Sequence, residues 1–332
     1  MSVIQSLTNI SADCRAALTM NKIEDTIFSP LTKLFDCFPG GNDTFFVVNE
    51  SLTRDEYARV NKLVLEHYPK FEQGAVLEPS SRGAVLRMQM TGGEFCGNAT
   101  RSVAALIAEE YSKKSDNLPM ANYDLIIREN NTLTFPIEVS GTDNLVIAKV
   151  LPDQSGWDVE IELPRLPARK VSASTMLDFS GVRAPCTVVE LEGISHILIS
   201  DSQMPFTNDP DKFNSMVADV IAQLSWGDRA AFGLIWVKQV DDQFAIEPVV
   251  FVKSIQTCIY ESACGSGSIA VALAATPEGA HRVTAVRQPS GAILHASIDQ
   301  TNTLQGIAAT LRGPVEIRGD LNQMPRLLAA NE

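Results

Sequence analysis

Two stretches of this chain follow one plan. An apolar strand (AVLRMQM, Ala84 to Met90; PVVFVK, Pro248 to Lys253) leads to a loop ending in Cys-Gly, and a helix of small residues follows (TRSVAALIAEE after Cys96; SIAVALAAT after Cys264). A strand, a turn and a second strand then close each copy: YDLIIRENNTLTFPIEVS in the first, HRVTAVRQPSGAILHASI in the second. An internal repeat of this length predicts a duplication, with two domains alike in fold. Both helices are rich in Ala, Val and Ser and carry few charges, a composition suited to burial on both faces. Set among short β segments broken by Gly, Pro, Asn and Asp, such a helix predicts a mixed sheet or barrel wrapped around it. The expected fold class is α/β (α+β), with two pseudo-symmetric domains. Residues 1–150 form the Cys96 half, completed by 313–332, and residues 151–312 form the Cys264 half. Two more helices are expected, at Leu52 to Tyr68 and at Asp209 to Leu224.

A helix N-terminus exposes unpaired backbone N–H groups and carries partial positive charge. It therefore suits a carboxylate, and it draws a cysteine placed there from its ordinary pKa of about 8.5 towards neutrality. Gly97, Gly265 and Gly267 have no Cβ, which predicts close approach of a ligand to the backbone. Two such helix starts facing one another across a cleft can bracket one small carboxylate. One sulfur then takes the α-proton and the other returns a proton to the opposite face, which is racemisation by two bases. A nucleophilic cysteine with His196 as its base is the rival arrangement, and it leaves the second Cys-Gly helix without a task. Cys14, Cys37, Cys186 and Cys258 are expected to be small buried hydrophobes.

At these residues the chain resembles the diaminopimelate epimerase-like superfamily of cofactor-independent racemases and isomerases. The segments that carry the likeness are GGNDTFFVVN (Gly40 to Asn49), GGEFCGNATR (Gly92 to Arg101), ESACGSGS (Glu261 to Ser268), GISH (Gly193 to His196), QPSGAILHASI and LRGPVEIRG. The resemblance implies Cys96 and Cys264 as the catalytic pair. It implies the backbone amides of Gly97, Asn98, Gly265 and Ser266 as the cradle of the α-carboxylate, Asn42 near the substrate and His196 beside the site. Neither pyridoxal phosphate nor a metal is implied. The chain also departs from diaminopimelate epimerase. No arginine lies between Lys253 and Cys264, Ile194 stands where that enzyme's asparagine is expected, and FGLIW (Phe232 to Trp236) replaces a later Asn-Val segment. A second substrate carboxylate without its arginine is costly to bury, so the expected substrate is another L-amino acid, histidine or another polar one. Glu94 and Glu261, beside the cysteines, either meet a polar or cationic substrate side chain or brace the loops. Trp236 either faces the pocket or fills the core, the second being the expectation. The alternatives are diaminopimelate epimerase itself, an isomerase of unsaturated or cyclic acids, and a non-catalytic binder of small carboxylates.

Charge narrows the partners. The net charge is −13 with no Lys/Arg block, which argues against nucleic acid and anionic membrane. No apolar run approaches the roughly 18 residues of a membrane span. Six sparse cysteines and four scattered histidines make neither a disulfide scaffold nor a zinc pattern. A cytoplasmic chain is expected, with a small amino acid as its partner and a second copy in a homodimer.

Overall fold

The computed structural model describes residues 33–48, 52–166, 174–191, 193–253 and 256–320. Cys14, and residues 321–332 of the segment expected to complete the first half, lie outside the described residues. The first half runs β1 (Lys33–Phe38), β2 (Thr44–Val48), α1 (Arg54–His67), β3 (Gln73–Glu78), β4 (Arg87–Met90), α2 (Gly97–Lys113), β5 (Ile127–Glu129), β6 (Thr132–Val139), β7 (Val146–Asp153) and β8 (Gly156–Glu162). The second runs β9 (Thr175–Phe179), β10 (Val182–Glu190), β11 (Ser195–Ser200), α3 (Pro210–Leu224), β12 (Ala231–Val240), β13 (Gln243–Val252), β14 (Thr257–Tyr260), α4 (Gly265–Ala275), β15 (His281–Arg287), β16 (Ile293–Asp299) and β17 (Ala308–Asp320).

Strand pairing repeats with the sequence. In the first half β1–β2 is antiparallel, β2–β3 parallel, β3–β4 antiparallel and β4–β6 parallel, and β6, β7 and β8 follow as an antiparallel meander. The series β10–β11, β11–β12, β12–β13, β13–β15, β15–β16, β16–β17 has the same alternation of senses. β17 is 13 residues long and serves both halves. Its first part pairs with β16, its middle with β8, and its end with β1, which closes the first half into a ring. Residue 150 falls inside β7, whose hairpin partner β8 continues that ring.

Each half wraps its Cys-Gly helix, the first as a closed ring and the second as a series of strands running from β9 to β17. In α2 nearly every side chain from Asn98 to Ala108 is buried, and in α4 all those from Gly267 to Leu273 are. This is the all-round burial expected of helices with so few charges. A second helix covers each half from outside, and period-two alternation divides the strands between the layers. Phe45 and Val47 of β2 pack outward against Val60, Leu63 and Val64 of α1, while Phe46 and Val48 join the inner core around α2. In the second half Phe232, Leu234 and Trp236 face outward to Phe213 and Met216 of α3, and Ile235 faces inward. Trp236 is therefore core, packed edge-on to Phe206 at 5.3 Å. The outer helices begin where their caps stand. Thr53 and Glu56 form a capping box for α1, and Asp209 accepts from Asp211 and Lys212 at the start of α3.

Two segments read as strands are only partly so. Ala84–Leu86 bonds outside the β4 ladder, through Val85 to Pro136 and Asn122. Tyr123–Leu125 is a 3₁₀ turn that Asn122 caps.

Candidate active site

The two cysteines hold the same position in the two halves. Cys96 is the N-cap of α2 with φ −127° and ψ 112°, and Cys264 is the N-cap of α4 with φ −130° and ψ 104°. Each sulfur accepts a backbone N–H three residues on, from Ala99 at 3.5 Å and from Gly267 at 3.3 Å. Each cysteine carbonyl accepts a hydroxyl four residues on, from Thr100 at 2.7 Å and from Ser268 at 2.8 Å. The cysteine takes the part that serine or threonine plays at an ordinary helix start.

The helix starts meet across β17. A Cβ added to Gly97 would lie 3.1 Å from Leu311 Cδ2, and one added to Gly265 would lie 2.9 Å from the same methyl. Asn98 Nδ2 donates to Ala263 O at 3.2 Å, tying α2 to the loop that carries Cys264. The glycines also have a structural part: at both positions the space a Cβ would fill is taken by the protein. Gly97 and Gly265 allow the two helices to approach each other, and Gly267 leaves room for Cys264 Sγ, 3.2 Å from its virtual Cβ.

The turn before β2 also reaches the second half. Asn42 adopts the left-handed region at φ 54°, its N–H donates to Ser262 Oγ at 2.7 Å, and its buried Oδ1 has no partner. Ser262 in turn hydrogen-bonds Glu72. On the other side, Ser266 Oγ lies 3.5 Å from Cys264 Sγ and 2.9 Å from His196 Nε2. His196 is fully buried on β11, and burial lowers its pKa to about 3. A neutral imidazole one hydroxyl away from the thiol does not form the Cys–His ion pair of the rival arrangement. Cys96, Cys264, Gly97, Asn98, Gly265, Ser266, Asn42, His196 and Glu261 thus belong to one contiguous region.

Electrostatics correct one expectation. Both thiols are raised, not lowered. Burial lifts Cys96 to about 11 and Cys264 well above the ordinary thiol range. The helix N–H groups work in the opposite direction and are outweighed by burial together with nearby carboxylates. Glu94 acts on Cys96, and Glu261 acts on both sulfurs. Burial lifts Glu261 itself to about 7. An acid whose folded pKa lies above its unfolded value costs stability as pH rises between the two. Glu261→Gln is therefore expected to raise the melting temperature above pH of about 7 and to leave it unchanged below about 4.5. Melts of both proteins across that range check the sign.

Several contacts escaped the sequence. Gln73 Oε1 accepts the Cys96 thiol at 3.2 Å, and its Nε2 is held by Thr44 at 2.8 Å. Gln288 Oε1 accepts the Cys264 N–H at 2.8 Å, and its Nε2 donates to Ser268 at 2.9 Å. Gln288 opens the QPSGAILHASI stretch, which is its signal in the sequence. Gln73 carries no comparable signal. A recess of about 240 Å³ lies apart from the cysteines, on the outer face of the first ring under α1, lined by Val47, Arg54, Asn61 and Gln89 among others.

Comparison with known proteins gives the family and the fold. The family described as "Histidine racemase CntK N-terminal domain" matches residues 33–320. The chain is similar to a histidine racemase of Fusobacterium nucleatum, 26% identical over 235 residues that make up 70% of this chain and 77% of that protein. It is similar to a histidine racemase of Staphylococcus aureus, 24% identical over 78% of this chain and 86% of that one. In fold it is similar to a hydroxyproline epimerase from Agrobacterium vitis solved with trans-4-OH-L-proline, with a TM-score of 0.56 and 15% identity over 89% of this chain and 93% of that chain. Among the described residues no helix is long and apolar enough to cross a membrane.

Proposed function

From the premise that this chain belongs to the histidine racemase CntK family of isomerases, we propose that it inverts the α-carbon of histidine, without a cofactor, with Cys96 and Cys264 as the two bases. The observation that carries this reading is the doubled N-cap: two cysteines in one backbone conformation, on helices whose first glycines touch the same Leu311 methyl. The backbone N–H groups of Gly97 and Asn98 at one helix start, and of Gly265 and Ser266 at the other, suit the α-carboxylate. With that group held, the α-hydrogen points to one sulfur and the vacant lobe of the planar carbanion to the other. One thiolate takes the proton while the opposite thiol gives one, so the enzyme returns to an equivalent state with the roles exchanged.

Thiols raised by burial need a compensating charge before either acts as a base. The substrate brings it, since an α-ammonium close to the sulfurs favours the thiolate. Glu261, and Glu72 behind Ser262, give one side of the site a negative character that suits an imidazolium side chain. Asn42 Oδ1, buried without a partner, is an acceptor free for substrate. Neutral His196 orients Ser266, whose hydroxyl steadies Cys264.

The same reading takes residues 1–150 with 313–332 as one domain and 151–312 as the other. The repeated strand order supports two such halves, and it carries the β7–β8 hairpin, through which that line runs, with the first. It places the chain in the cytoplasm, where its five described free cysteines stay reduced. It also allows a homodimer, for which β9 offers an edge paired only with β10 among the described residues.

The test is incubation with L-histidine in deuterated water with no added cofactor. D-Histidine is expected to appear with deuterium at its α-carbon. Histidine recovered undeuterated and unchanged, while another amino acid exchanges, would give the site a different substrate. No exchange with any amino acid would end the two-base proposal.

A further inference from the structure

Arg101 is fully buried in α2, just over one turn beyond Cys96. Its acceptors are all neutral: Pro39 O at 2.7 Å, Pro314 O at 3.2 Å and Asn98 Oδ1 at 3.0 Å. Its Nε has no partner. A buried guanidinium cannot shed its proton at neutral pH, and a buried charge without an opposite partner is expensive to maintain. Scaffolding alone does not account for it, because carbonyls and an amide can be met by a neutral donor. Its place is also particular. Asn98, which it fixes, bridges to Ala263 beside Cys264, and its two carbonyl acceptors belong to the Gly40–Asn42 approach and to β17.

We propose that Arg101 is a positioning residue for Cys96, supplying the fixed positive charge that supports the thiolate while its hydrogen bonds set Asn98 between the two helix starts. The proposal rests on the reading of Cys96 as a base. The other groups facing Cys96 oppose Arg101 or are neutral: Glu94 from its own loop and Glu261 from the loop before α4 disfavour the thiolate, and Gln73 of β3 holds the thiol proton. Arg101 for its part feels Cys96 and, from β8, Asp158, which is itself engaged by Arg312 of β17. Thiolate and guanidinium are thus the opposite charges that each lacks as a contact partner.

Alkylation of Cys96 by iodoacetamide, followed on the full-length protein by peptide mass spectrometry from neutral to mildly alkaline pH, reads the thiolate directly. Arg101→Gln is expected to slow Cys96 at least about tenfold at each pH, the equivalent of one pKa unit, whereas Arg101→Lys, with its charge kept, stays within about threefold of the wild type. Asp158→Asn, near the protein surface, removes an opposing charge and is expected to speed the same reaction. If Arg101→Gln does not fold, the other two variants carry the test. Unchanged reactivity in Arg101→Gln, equal slowing by Lys and Gln, or no acceleration in Asp158→Asn overturns the charge role. Thiol alkylation does not require that Cys96 be catalytic, so failure here is separate from failure of the racemase reading, which the deuterium experiment decides.

Discussion

A Cys264→Ser protein is expected to lose racemisation by about 10³-fold or more, because one of two obligatory proton carriers is then a hydroxyl whose pKa is far out of reach. The substitution suits the test because the fold has little reason to object. Cys264 caps α4 by accepting the Gly267 N–H, and serine is among the preferred residues at that position. The side chain is small and its carbonyl bonds to Ser268 do not depend on sulfur. Thermal melting should therefore stay close to that of the parent while chirality transfer collapses. Cys96→Ser is expected to behave alike, since Cys96 sits in the same cap geometry. Circular dichroism and chiral chromatography of histidine incubated with each variant check both halves of the statement. Racemisation at the parental rate in either one would remove that sulfur from the chemistry.

Gly141→Ala is expected to destabilise the protein by about 3 kcal/mol or more and to disable the Cys96 loop. Gly141 has φ +76°, and a Cβ there would lie 2.1 Å from Phe95 N and 2.6 Å from Glu94 C. Those are backbone atoms of the segment leading into Cys96, so no rotamer change relieves the overlap. The neighbouring Ser140 holds the same loop, donating to Glu94 O at 2.7 Å and accepting from Met90 N at 3.0 Å. Gly83→Ala provides the control. Gly83 has the same φ of +76°, yet nothing stands within 4 Å of its virtual Cβ. It should cost only about 1 kcal/mol, the share due to backbone conformation alone. Denaturant titration of the two variants separates the dihedral from the collision. Equal costs would mean that the Phe95 segment yields freely.

Much of the architecture was legible because duplication writes each message twice. The small-residue helices announced their burial, and the paired Cys-Gly starts announced a common geometry. Other parts depended on partners distant in the chain. β1 and β3 are short apolar runs whose pairing with β2 is set by the closing of the ring, and nothing local in KLFDCF or QGAVLE distinguishes them. Gln73 reaches Cys96 only because β3 lies beside β2 in parallel register. The glycines after the cysteines suggest close approach of a ligand, but their packing on Leu311, more than 40 residues beyond either of them, has no local signal. The thiol pKa values went the wrong way for a related reason. Helix N–H groups can be inferred from a cap motif, but the depth of burial and the approach of Glu261 to both sulfurs belong to tertiary structure.

β17 has a mechanical consequence. One strand is stitched into both halves, and the Leu311 methyl faces the tips of the two inner helices. The halves are therefore not jaws on a loose hinge. The opening expected of such a joint is a twist about this strand, which keeps its pairing with both halves and parts the flanking turns where Asn42 and Ser262 meet.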